Sequence, residues 1–149
     1  MIQNAPQTLK ALIALFESNR DQYKSPQYDE ANTRVDFIDK FFALLGWDVY
    51  NAQGFSEVYR EAVREDKIAI AGGKKAPDCS FRIGGIRKFF QETKKPSVNL
   101  KDAAEPAFQL RRYSYTAKLP LAILTNFAEF AVYDTRIKPD KNDSPGTAR

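Results

Sequence analysis
The chain opens on an apolar rhythm of helical period. Leu9, Leu12, Ile13 and Phe16 recur at i, i+3, i+4 and i+7 behind Pro6, a residue suited to a first turn, and predict a helix over 6–20. After the polar break SNRDQYKSPQ, Val35, Ile38, Phe41, Phe42 and Leu45 draw a broad apolar stripe. It predicts a second helix over 26–45, with Ser25 as cap, Pro26 in the first turn and Gly46 as the stop. GWDVY reads as a short strand. Residues 58–70 read as strands, although SEVYREAVRED also has helical spacing, and GGKK reads as a turn or loop. Cys79, Phe81 and Ile83 alternate as in a half-buried strand, and Gly84-Gly85 marks a hairpin turn into IRKFFQETK. Phe89 and Phe90 point to opposite faces there, so that strand is expected to be covered on both sides until Pro96 ends it. A helix is predicted over 102–117, its start constrained by Pro106. LAILT, an uninterrupted apolar run, predicts a buried interior strand, and EFAVYD another after a turn at Asn126-Phe127. The order of helix, helix, three or four strands, helix and two strands predicts an α/β sandwich with a central mixed sheet flanked by helices.

Composition narrows the chemistry more than the fold. The chain has 149 residues, enough for one domain with a real core, and it carries no apolar run long enough to cross a bilayer. The N-terminal segment lacks the basic region and cleavage site of a signal peptide. Cys79 is the single cysteine and histidine is absent, which fits a reducing cytoplasm and excludes an internal disulfide. The same absence excludes Ser-His-Asp and Cys-His nucleophiles and His- or Cys-rich zinc sites. Chemistry is left to carboxylates, Lys, Tyr, Ser or a hard metal on oxygen ligands. The net charge of +4 is compatible with a polyanionic partner.

Against that background, Asp78, Glu92 and Lys94 stand out as charged groups on segments that otherwise read as core strands. Side chains repeat their face every second residue of a strand, so Glu92 and Lys94 project together. A hairpin across Gly84-Gly85 would bring Asp78 beside them. Two carboxylates at one strand end can share a divalent cation, and a neighbouring lysine can orient water or offset charge at a phosphoryl group. The competing reading is an edge strand protected by Lys and Glu.

The run Pro77-Asp78 … Glu92-Thr93-Lys94 resembles the signature of the PD-(D/E)xK nuclease superfamily. Pro-Asp recurs at Pro139-Asp140 and an acidic-x-Lys triplet at Glu65-Asp66-Lys67, but only Asp78 followed by Glu92 and Lys94 has the order and the strand context. Gln109 and Tyr113 form Q-x-x-x-Y on the next helix, on one helical face, as in RecB-like nucleases and related restriction subunits. Glu30 and Arg34, followed by the apolar stripe and LGWDV, are similar to the start of nuclease domains in type I restriction subunits and type IIG restriction enzymes. The phrase QLRRYSYTAKLPLAILTNFAEFAVYD is similar to the close of the type IIG nuclease core. Gln91 and Thr93 depart from relatives, which tend to an apolar and a small residue there.

The resemblance implies a restriction-endonuclease-like three-layer sandwich and a metal-dependent DNA endonuclease. It implies Asp78, Glu92 and Glu30 as ligands of Mg²⁺ (Mn²⁺ as a substitute), Lys94 and Gln109 in the catalytic set, and Asp36 or Asp39 as alternatives to Glu30. Tyr113, Arg111, Arg112, Lys95 and Lys118 become the expected contacts to double-stranded DNA. Residues 1–136 are expected to be the nuclease domain, with N-terminal helices over 6–45 and a catalytic core over 46–136. Residues 137–149 are expected to be a linker to downstream methyltransferase and target-recognition domains, in a bacterial or archaeal cytoplasm. A type I restriction subunit, a non-catalytic nucleic-acid-binding domain and a nuclease acting on DNA ends are the competing readings.

Overall fold
The computed structural model describes residues 4–70 and 73–144, without the side chain of Ile70. Residues 1–3, Ala71 and Gly72, and residues 145–149 of the expected linker lie outside the described residues.

Helix α1 spans Ala5–Ser18, shorter than expected. The chain turns at Asn19 before a single further helical turn, α2, at Arg20–Tyr23. The second long helix starts later than expected. Residues 25–29 form a turn, and Asp29, not Ser25, is the cap: its carboxylate accepts the Asn32 N–H at 2.8 Å. From there α3 (Glu30–Thr33), a π-helical segment (Arg34–Ile38) and α4 (Asp39–Leu44) run on without leaving helical backbone. GWDVY is not a strand. The Asp48 carboxylate accepts the N–H groups of Ala52 and Gln53 at 2.7 and 3.0 Å, which curls the chain into a loop and leaves Val49 as its buried anchor.

Five strands form one mixed sheet in the order β1-β4-β5-β6-β7: β1 (Ala62–Arg64), β4 (Cys79–Ile83), β5 (Ile86–Thr93), β6 (Leu121–Thr125) and β7 (Phe130–Asp134). Only β5 and β6 run parallel, joined by the crossover helix α5 (Ala104–Thr116). Within 58–70 only part is strand, because Glu57–Tyr59 takes a 3-10 turn. The GKK of the expected loop is strand β3 (Gly73–Lys75), paired with β2 (Ile68–Ile70) in a separate ribbon.

Two cores lie on opposite faces of the sheet, and the adjacent residues Phe89 and Phe90 divide between them as the alternation demands. One joins Phe16, Phe37, Ile38 and Phe42 of the N-terminal helices to Phe81 and Phe89. The other joins Ala107 and Leu110 of α5 to Phe90, Ala122, Leu124 and Tyr133. Helices, sheet and helix therefore make the three-layer restriction-endonuclease-like sandwich expected from the sequence. No helix among the described residues is long and apolar enough to cross a membrane.

Candidate active site
The hairpin across Gly84-Gly85 forms, with both glycines at positive φ (60° and 80°), as the tight turn between right-twisted strands requires. The turn alone sets the wrong register for a site. It pairs Ile83 with Ile86 and Arg82 with Arg87, a ladder that, continued, would set Asp78 opposite Gln91. A bulge leaves Lys88 without a partner, Phe81 then pairs with Phe89, and Cys79 pairs with Gln91. The one-residue shift brings Asp78 to Glu92. Two hydrogen bonds record the meeting: the Asp78 N–H donates to Glu92 Oε2 at 3.2 Å, and the Thr93 N–H donates to Asp78 Oδ2 at 2.7 Å.

Lys94 follows directly. Its N–H donates to the Thr125 carbonyl at 2.9 Å, prolonging the parallel pairing one residue beyond β5 and fixing its backbone against β6. Its Nζ lies 3.5 Å from Glu30 Oε2. Four residues on, Arg34 places Nη2 3.3 Å from Asp78 Oδ1. Glu30 and Arg34 thus do not pair along their own helix. Each crosses to a residue of opposite charge at the strand ends, and the helix is pinned over the hairpin by two ion pairs.

The carboxylate pair is electrostatically unbalanced. Burial and the neighbouring Asp78 charge push Glu92 up to about 8, with Glu30 adding to the rise, while the Asp78 N–H and Lys94 pull against it. On the other side of β5, Gln91 is buried and donates its amide to Thr93 Oγ1 at 2.9 Å. The two polar departures in this motif satisfy each other and leave the site untouched.

Other acidic candidates have other employment. Asp36 accepts the Tyr28 hydroxyl at 2.6 Å, and Asp39 holds Arg64 at 2.6 Å, tying α4 to β1. Asp66, of the rival triplet, accepts Ser80 and is clasped by Arg82 and Arg87. Asp140, of the rival Pro-Asp, accepts the Asn142 N–H within a turn. Among the described residues, no group of three or more Asp, Glu, Cys and His side chains is placed to hold a metal ion by itself. A pair of carboxylates does suit Mg²⁺, which keeps several waters and binds through one or two carboxylates plus substrate phosphates.

The residues expected from α5 are less uniformly placed. Gln109 donates to Glu105 Oε1 at 2.6 Å, while its own Oε1 is buried without a hydrogen-bond partner among the described residues. Tyr113 is half-buried against the second core, with the Arg112 guanidinium 5.8 Å from its ring centre. Arg111 is not an open surface cation: only 4% exposed, it pairs with Asp143 at 2.6 Å and lies over the Tyr133 ring. Lys95 donates to the Pro26 carbonyl at 3.3 Å, and Lys118 is exposed just past α5. The segment after Lys95, from Pro96 to Asn99, lines a cleft of about 500 Å³ whose rim carries Arg20, Lys24 and Lys101 together with Glu129. Arg20 and Lys24 escaped notice in the sequence, because they sit in a polar break with no motif around them.

No family model matches the chain, and no solved structure matches it. Over 148 residues, 98% of its length, it is 41% identical to the type II restriction enzyme and methyltransferase RM.Eco57I of Escherichia coli. The match falls in the N-terminal part of that enzyme, and the chain spans about 15% of its length. Along nearly all of its own length, the chain is thus similar to the N-terminal part of a type II restriction enzyme and methyltransferase.

Proposed function
We propose that the chain is a metal-dependent DNA endonuclease module, the cleavage part of a type IIG restriction–modification enzyme. The observation that carries this is the pairing of Asp78 with Glu92 at the bulge-shifted strand end, its charge unbalanced enough to raise Glu92 to about 8, with Lys94 alongside. Asp78 and Glu92 are the residues to hold Mg²⁺, or Mn²⁺ in its place, and Glu30, whose charge is felt at Glu92, is the third carboxylate of the set. When bound, the cation polarises a phosphoryl oxygen and acidifies a water. Lys94, held by its backbone on β6 and by its ammonium on Glu30, orients the attacking water and offsets charge developing on the phosphate. Gln109 Oε1, buried without a partner among the described residues, is an acceptor for water or substrate.

The basic rim of Arg20, Lys24 and Lys101 offers sequence-independent phosphate contacts, with Arg112, Tyr113, Lys95 and Lys118 farther along the expected DNA surface. Downstream methyltransferase and target-recognition domains would then choose where the module cuts, in a cytoplasmic setting. The test is nicking or linearisation of supercoiled plasmid in Mg²⁺. Asp78→Asn and Lys94→Ala are each expected to lower the rate by about a thousandfold with the thermal transition retained. Cutting at the wild-type rate by either variant sinks the assignment. A second reading, a DNA-binding domain without chemistry, is favoured by the cations already on the site's carboxylates, Arg34 on Asp78 and Lys94 on Glu30. Metal-independent DNA binding with no cutting at any Mg²⁺ or Mn²⁺ concentration is the outcome that selects it.

A further inference from the structure
Its place in the phrase that opens on Glu30 gives Arg34 no role in the site, yet among the described residues it makes the one side-chain ion pair on Asp78. The two oxygens of Asp78 are not equivalent. Oδ2 accepts the Thr93 N–H at 2.7 Å, a backbone contact that holds the carboxylate in place. Oδ1 is the oxygen left to face a cation, and Arg34 Nη2 sits 3.3 Å from it. A divalent ion on Asp78 and the Arg34 guanidinium therefore claim the same oxygen. The rest of the guanidinium is under-used: Nε is buried and has no hydrogen-bond partner among the described residues. An arginine with an idle buried donor is poised for an acceptor not yet present. Its planar fork suits a phosphate, to which it can donate two parallel bonds. With its side chain 25% exposed, it also stands at the boundary between the site and solvent.

The backbone fits this use. Arg34 is the first residue of the π-helical segment, where one helical turn is widened; such bulges recur at functional sites because they re-aim side chains. One turn earlier Glu30 already occupies Lys94, so at the strand ends Arg34 is the cation of this helix that faces the carboxylate pair.

We propose that Arg34 is a substrate-phosphate ligand held in reserve on Asp78: it neutralises the carboxylate while the site is empty, yields Oδ1 to the divalent cation, and moves to a phosphate oxygen of the bound strand. The role rests on the nuclease reading and adds to it a residue with two successive partners. It predicts opposite signs for two measurements that a merely structural arginine would move together. Removing a competing positive charge from Oδ1 favours the metal, whereas removing the phosphate ligand disfavours the reaction.

The test uses the whole 149-residue chain as wild type, Arg34→Ala and Arg34→Lys. Mg²⁺ is titrated by calorimetry without DNA, and single-turnover cleavage of plasmid is followed at saturating Mg²⁺. Arg34→Ala is expected to bind Mg²⁺ about 3- to 10-fold more tightly and to cut on the order of a hundredfold more slowly. Arg34→Lys keeps the competing charge but loses the fork, so it holds near-wild-type Mg²⁺ affinity and still cuts slowly; it carries the test if the alanine variant fails to fold. Weaker or unchanged Mg²⁺ binding in Arg34→Ala, or full cleavage activity in both variants, overturns the role while leaving the nuclease reading in place. A wild type that neither binds Mg²⁺ nor cuts overturns the nuclease reading and this role with it.

Discussion
Glu92 carries the largest electrostatic tension of the candidate site. Its carboxyl rises from an ordinary 4.5 to about 8 because it is buried beside Asp78. A raised folded-state pKa means that the folded chain holds a proton which the unfolded chain has released. Stability from this group is complete below pH 4.5 and is lost as pH climbs through about 8. The metal-free chain is therefore expected to melt at a lower temperature at pH 8 than at pH 5, and Glu92→Gln to remove that slope. A Tm equally pH-dependent in the variant would place the titration elsewhere. Mg²⁺ needs the ionised form, so its affinity is expected to rise over the same window and its binding to release a proton, measurable as buffer-dependent heat. Asp66 shows the opposite sign. Burial would raise it, but Arg87, Arg82 and Ser80 outweigh that and hold it at about 2. Its contribution persists above pH 3.8 and disappears as pH falls toward 2. Asp66→Ala strands two arginines and is expected to lower stability by about 3 kcal/mol in urea denaturation, with plasmid cleavage kept at temperatures where the variant is folded.

At the scale of elements, a single unpaired residue in the hairpin makes the site. Lys88 shifts the ladder by one, and because strand side chains alternate, one residue is the difference between Asp78 meeting Glu92 and Asp78 meeting Gln91. Deleting Lys88 removes the unpaired residue and joins Arg87 to Phe89, so the ladder from the turn runs on with Phe81 still opposite Phe89 and Asp78 still opposite Glu92. The deletion variant is expected to keep a cooperative thermal transition and plasmid cleavage. A folded deletion variant without cleavage would show that the site needs the bulge's local geometry and not the register alone. The long helix is the second element the site needs, and its seat is aromatic. Phe37, fully buried, has Phe127 and Tyr23 rings at 4.8 Å and Phe16 at 5.4 Å. Phe37→Ala is expected to cost about 4 kcal/mol by chemical denaturation and to loosen the ion pairs that Glu30 and Arg34 make at the strand ends.

For the whole molecule, the sheet separates two jobs. The core shared with the N-terminal helices seats Glu30 and Arg34 over the hairpin, while the core under α5 seats Gln109 and ties the chain's last described stretch through Arg111 and Asp143. Charge follows the same division. Ion pairs between separate elements hold β1 to α4, the segment before β2 to β4 and β5, and α2 to α1 through Arg20 and Glu17, while Lys24 and Lys101 stand on the rim of the cleft that begins at Pro96. Lys24→Glu with Lys101→Glu is expected to weaken binding of a short duplex at least tenfold and to flatten its dependence on salt, without changing Tm by more than a few degrees.

The sequence alone determined the N-terminal helices, the strands from β4 to β7 with the helix between them, the hairpin turn and the two-sided burial of β5, because periodicity and Gly-Gly chemistry are local. It singled out Asp78, Glu92, Lys94 and Gln109, because a spaced motif is written along one dimension. It misjudged what depends on competition between neighbours: Asp29 against Ser25 for the helix cap, the Asp48 loop against a strand at GWDVY, and a β2–β3 ribbon against a loop at GGKK. Only the tertiary structure decided the bulge at Lys88, the crossing of Glu30 to Lys94 and of Arg34 to Asp78, the burial of Arg111 and the cleft beside Pro96. The physical reason is common to all of these. A charge takes the partner that packing brings within a few ångströms, and helix and strand ends far apart in sequence meet only when two cores close on one sheet.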